Sequence, residues 1–312
     1  MNFISLINTI VTLALLMAVG FGLRKGGIID DVFSKNLSTL IVKVGQPMLI
    51  ISSLISLEYS AENLRRGLIA LAVSFGIHTG MGIIAHFAVK GFRNSDERKV
   101  SEVALMFTNC GFIGFPIIES LYGKDGLFCG AFYLVGFHLF IWTWGMAILS
   151  RGRDDIKLTP RKIFINFGTV PCLIGFLLFL CPLKIPGFIV MTADYLAGLS
   201  TPVSVLITGA LIATGTARDL FGRVGNYAVC LLRLLVLPAV VCVVLKLIGL
   251  SEFLIVFGTV MAAMPSASVI TMFGEMYDIM PGFASRLVGV TSLLCVVTLP
   301  LMVAFASFIA GI

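Results

Sequence analysis

The chain has 312 residues, of which 58% are hydrophobic and 12% charged, with a formal net charge of +6. A soluble domain carries about 25% charged residues, so this composition excludes a water-soluble globule and leaves a polytopic membrane protein. The positive excess does not indicate a nucleic-acid partner, because Lys and Arg sit in short runs between apolar stretches rather than on a basic face interleaved with aromatics.

Apolar stretches of about 20 residues, the length that crosses roughly 30 Å of hydrocarbon, predict ten helical spans. They lie near 3–23, 34–57, 66–89, 101–121, 126–149, 162–181, 189–213, 224–249, 253–276 and 284–309. No basic run and no small-residue cleavage site precedes Arg24, so the first stretch reads as a span rather than a signal peptide. The seven cysteines fall in or beside spans without ligand spacing and read as small buried hydrophobes, with no metal site and no cofactor. The expected partner on all sides is the lipid bilayer.

The longest polar connection, RGRDDIKLTPRK at 151–162, separates residues 1–150 from 163–312. Lys and Arg number 15 in the loops after the odd spans and 5 after the even ones. This bias puts the odd loops in the cytoplasm and both termini outside a cell membrane. Five spans per half make the second half start on the opposite side from the first, so any repeat is inverted. Pro47 in span 2 and Pro202 in span 7 are 155 residues apart, and Pro116 in span 4 and Pro265 in span 9 are 149 apart. The pairings 2/7 and 4/9 are those an inverted five-plus-five repeat requires.

Span 4 contains TNCGFIGFP (108–116) and span 9 contains AAMPSASV (262–269). A proline inside a helix costs about 3 kcal/mol and a glycine about 1 kcal/mol relative to alanine, and irregular backbone at membrane depth is tolerated only where it is buried in protein or lines a cavity. Breaks at both prolines would start new half-helices near Ile117 and Ser266, whose first amides and dipoles present positive charge at the midplane. Two such starts facing one point form an anion site. Gly111 and Gly114 are expected to supply non-helical dihedrals and close approach. Asn109 supplies a donor and acceptors, and Ser266 and Ser268 add hydroxyls.

The pattern NCGFIGFP (109–116) resembles that of the auxin efflux carrier family, which includes plant PIN-formed auxin exporters and bacterial malate and malonate permeases. The segments TPVSVLITGALIA (201–213), LLRLLVLPAV (231–240) and MPSASVITMFGEMYDIMPGFASRLVGVTSLLCVVTLPLM (264–302) are similar to the same family. The resemblance covers essentially the whole chain. It implies a ten-helix fold like that of bile-acid sodium symporters and sodium/proton antiporters, with helices 4 and 9 crossing at their prolines. It also implies that Asn109 binds substrate, and that spans 3–5 and 8–10 move as an elevator against a scaffold of spans 1, 2, 6 and 7.

Ionisable residues inside a membrane are functional candidates by default. Arg233, in span 8, is a candidate to neutralise an anionic substrate, to pair with a carboxylate, or to cap the carbonyls of a broken helix. Lys43 is read as reaching toward the cytoplasmic face or capping a scaffold kink at Pro47. For coupling to protons, Glu119 and His78 are the candidates, with His86 and His138 as further relays.

The leading expectation is a secondary transporter of a small organic anion such as a dicarboxylate, binding at Asn109, Gly111, Gly114, Pro116, Pro265, Ser266, Ser268 and Arg233. The alternatives are a sodium-coupled symporter of bile-acid type and a membrane sensor without transport. No catalytic pair argues for an enzyme, and pairing into a homodimer is left open.

Overall fold

The computed structural model describes residues 3–55, 59–153, 159, 165–181, 183, 185–215 and 224–312. Most of the expected linker 151–162, the end of span 2 and the basic loop containing Arg218 and Arg223 lie outside these residues. The described chain is helical, and its single β-type contact is one isolated antiparallel bridge between Thr108 and Ser266.

Helix α1 covers Phe3–Lys25, α2 Asp31–Ile55, α3 Ala61–Gly91 and α4 Ser95–Met106. Next come α5 (Cys110–Leu149), α6 (Thr169–Leu180), α7 (Gly187–Ile212) and α8 (Val224–Leu247). The chain closes with α9 (Glu252–Ala263), α10 (Val269–Tyr277) and α11 (Pro281–Ala310). Seven of the described helices are long and apolar enough to cross a membrane, and α6 and α9 are shorter apolar helices. The protein is thus a multi-pass, all-helical membrane protein.

The 40 residues of α5 would extend about 60 Å at 1.5 Å per residue, twice the hydrocarbon thickness. Gly123 divides them, with φ 58° and ψ −139°, a conformation open essentially to glycine alone.

At the polar ends the helices start on side-chain caps. Asp30 accepts from the Phe33 amide at 2.7 Å, Ser60 from Asn63 at 3.0 Å, and Asn94 from Asp96 and Glu97 at 2.8 and 3.1 Å. Each satisfies amides that the helix itself cannot pair.

Within the bundle, α1 runs along α7, α3 along α5, and α9 along α8 and α11. The α1–α7 contact is backbone on backbone. A Cβ added to Gly209 would meet the Met17 carbonyl oxygen at 1.9 Å, and one on Gly20 the Leu206 carbonyl oxygen at 2.0 Å. Small residues permit such approach where lipid removes the hydrophobic drive for helices to associate. The outward faces carry Leu15, Phe188, Tyr195 and Phe308, all largely exposed, as lipid-facing side chains should be.

Both proline-bearing segments break, but not at equivalent distances from their prolines. The second break spans Met264–Ser268, where Met264 is extended, and α10 begins at Val269, three residues past the expected start at Ser266. The first break falls at Phe107–Asn109, and the new helix begins at Cys110 rather than near Ile117. Pro116 therefore lies just inside a helix, after a π-helical turn over Cys110–Gly114. Gly111 and Gly114 belong to that turn, so they are helical rather than dihedral outliers. Their service is steric: a Cβ on Gly114 would stand 3.3 Å from Met261 Sδ, and one on Gly111 3.3 Å from Leu134 Cδ1.

Candidate functional site

The two broken segments cross and are stitched by their backbones. The Asn109 amide donates to the Pro265 carbonyl at 2.8 Å and the Ala267 amide to the Phe107 carbonyl at 3.0 Å. Ser266 locks the crossing from within: its Oγ donates to the Ala104 carbonyl at 3.0 Å, and its amide donates to Thr291 Oγ1 on α11 at 3.2 Å. Buried backbone groups must be paired somewhere, and here each break supplies partners for the other.

Beyond the bridge, α5 and α10 each present a helix start. Asn109 and Ser268 hold the cap positions, yet neither side chain caps its own helix. Asn109 Nδ2 donates instead to Ser268 Oγ at 2.9 Å, and Ser268 Oγ lies 3.4 Å from Thr208 Oγ1 on α7. The contrast with Asp30, Ser60 and Asn94 is direct. At the polar ends the cap oxygens are spent on helix amides; at the crossing they are withheld.

These groups line a cavity of about 10 Å³ walled by Gln46, Asn109, Gly111, Phe112, Ser268 and neighbouring apolar side chains, room for about one water. Gln46 Nε2 approaches His138 Nε2 at 3.3 Å, and both residues are buried, joining α2 to the second part of α5. Among the described residues, no Lys, Arg, Asp or Glu is in the wall. The charge nearest to it that the fold supplies is the dipole of the two helix starts, positive at the N-terminus.

Two larger cavities lie along α2 on either side of this closed point. One, of about 310 Å³, is walled by Lys35, Ser38, Lys43, Phe167 and Met272. The other, of about 470 Å³, is walled by Leu49, Ser52, Ser53, Pro116, Glu119 and Lys124. Leu49 belongs to both the second cavity and the closed one.

The expected site residues thus divide into groups. Asn109, Gly111 and Ser268 face the small cavity; Pro265 and Ser266 hold the crossing; Gly114 lets α9 pack against it. Pro116 and exposed Glu119 line the larger cavity near Lys124. His78 is fully buried, with Nδ1 2.7 Å from the Ser74 carbonyl and its ring stacked on Phe140. Arg233 is not in the wall of the small cavity, and its partners among the described residues are backbone carbonyls and a methionine sulfur. Gln46 and Thr208 joined the site without having been singled out. Gln46 was legible as an uncharged polar residue beside Pro47 inside a span, whereas Thr208 resembles any hydroxyl bonding back to its own helix, at 2.8 Å to the Ser204 carbonyl.

Comparison with known proteins points the same way. The chain matches the family described as membrane transport protein over residues 5–162 and again over 153–303. It is 27% identical over 316 residues to an uncharacterized transporter of Methanothermobacter thermautotrophicus, covering 96% of this chain and 98% of that one. It is 23% identical over 282 residues to an uncharacterized transporter of Methanocaldococcus jannaschii, covering 87% and 89% respectively.

Proposed function

The chain belongs to the membrane transport protein family, the auxin efflux carrier group whose motifs it carries, and on that premise we propose that it is a secondary carrier of small organic anions. The observation that carries this reading is the withheld caps. Neither Asn109 nor Ser268 spends its side chain on the first amides of its own helix, and among the described residues the cavity between the two starts has no fixed charge in its wall. An anion placed there is offered N–H donors and two dipole ends, and a carboxylate suits the Asn109 amide.

The anion outsizes a 10 Å³ cavity, so binding requires the crossing to part from α2 and α7. We read the ten spans as α1, α2, α3, α4 with the first part of α5, the rest of α5, α6, α7, α8, α9 with α10, and α11. They form two inverted five-span halves. The antiparallel pairing of the two breaks supports that symmetry. Spans 3–5 and 8–10 carry the crossing as a unit past spans 1, 2, 6 and 7, exposing it in turn to the Lys43 cavity inside and the Lys124 cavity outside.

A thermal-shift screen of small mono- and dicarboxylates on the purified protein tests this. At least one acid should raise Tm in wild type and lose that effect in Asn109→Ala. A screen in which cations or neutral solutes stabilise and no carboxylate does would overturn the reading.

A further inference from the structure

A break in a buried helix frees carbonyls as well as amides, and an accounting of the carbonyls leads to Arg233. Of those released by α4, Ala104 accepts from Ser266 Oγ, Phe107 from the Ala267 amide, and Leu105 from Arg233 Nη1 at 3.2 Å. Of those released by α9, Pro265 accepts from the Asn109 amide, while Ala262 and Met264 both accept from Arg233 Nη2, at 2.6 and 2.9 Å. One guanidinium therefore serves both helix ends. Arg233 is 0% exposed, and none of the ion pairs among the described residues involves it.

Its charge is accounted for by the helices. Each C-terminus carries roughly half a negative charge, so two ends facing one point amount to about one unit, which a single arginine balances. Half-helix C-termini and unwound carbonyls at the bilayer midplane are also the groups that coordinate coupling cations in carriers built on broken helices. Here the carbonyls that would ligate such an ion are taken by a side chain that stays charged under all ordinary conditions.

We propose that Arg233 is a resident counter-ion: a tethered cation that holds the carbonyl ends of both broken helices together, takes the position of a coupling cation, and makes anion transport independent of sodium. It is a positioning residue. It does not wall the cavity at Asn109, and it acts by fixing the crossing from which both helix starts project. The final clause, on sodium, rests on the carrier reading; the counter-ion role does not.

The test uses the full chain purified in detergent, as wild type, Arg233→Lys and Arg233→Gln, in sodium chloride and in choline chloride of equal ionic strength. Wild-type Tm, and the concentration of a stabilising carboxylate needed for half its effect, should be the same in both salts. Arg233→Gln keeps hydrogen-bond donors but loses the charge; its Tm should fall by several degrees and recover partly with millimolar guanidinium, which leaves wild type unmoved. Arg233→Lys should recover most of the loss. The proposal is overturned if wild type is stabilised, or its carboxylate response strengthened, by sodium over choline, or if Arg233→Gln is as stable as wild type. Should Arg233→Gln fail to fold, the wild-type salt comparison and Arg233→Lys still decide. Failure of the carrier reading looks different: no carboxylate acts in either salt, while the Arg233 stability results stand.

Discussion

At the scale of a single residue, the proposed site turns on Asn109. Placed at a helix start, an asparagine ordinarily accepts from the amides two or three residues on. This one turns its amide nitrogen to Ser268 across the crossing, so two helices share one polar contact and neither start is capped by its own side chain. Ser268→Ala removes that contact, a neutral hydrogen bond worth about 1 kcal/mol. It should lower Tm by about 2 °C and weaken carboxylate stabilisation in a thermal-shift titration. Gly114 makes a separate demand, since Met261 Sδ already stands where a Cβ would touch it. Gly114→Val overfills the seam between α5 and α9 and should cost about 1–3 kcal/mol, read as a lower Tm with no carboxylate dependence.

At the scale of elements, local rules hold at the polar ends and fail at the crossing. Starts such as Asn94 with Asp96 and Glu97 in the first turn are legible because the capping partners lie within three residues. The apolar stretches expected near 66–89 and 284–309 fall within α3 and α11, which start five and three residues earlier. The first break was misplaced by about seven residues because its cause is not local. Pro116 is accommodated just past a π-helical turn, and the chain is held extended at Phe107–Asn109 by bonds to Pro265 and Ala267, more than 150 residues away. Capping broken-helix carbonyls is one of three roles the sequence leaves open for Arg233, and the choice among them is not local, since its partners are carbonyls whose freedom depends on where two other helices stop. Gly209 and Gly123 carry testable element-level demands. Gly209→Ala drives a methyl into the Met17 carbonyl and should separate α1 from α7 at about 1–3 kcal/mol, lowering Tm. Gly123→Ala must adopt a glycine-only conformation, a strain of about 1–3 kcal/mol, and should destabilise without altering any residue of the crossing.

Across the whole molecule, two cavities approach one closed point along a single helix, α2, from Lys35 and Lys43 at one end to Ser52 and Ser53 at the other. On the proposed topology, with the basic loops inside, the Lys124 cavity would open outward. In a Cys181→Ser background, chosen because Cys181 is the exposed native cysteine, a Lys124→Cys variant should react with a membrane-impermeant maleimide in intact cells. An Arg153→Cys variant should react only after permeabilisation, and the reverse pattern would invert the topology. The crossing is closed in this state, so an anion passes only by a rearrangement that changes which cavity reaches Asn109.

Uptake of labelled malonate, malate and related small acids into proteoliposomes, comparing wild type with Asn109→Ala, addresses the central claim most directly. The account predicts saturable wild-type uptake of at least one acid and a loss of roughly tenfold or more in the variant, as removal of one anion-facing donor implies, with Tm preserved. Uptake of a confirmed acid that is unchanged in Asn109→Ala would contradict it, because the site would then lie somewhere other than the crossing.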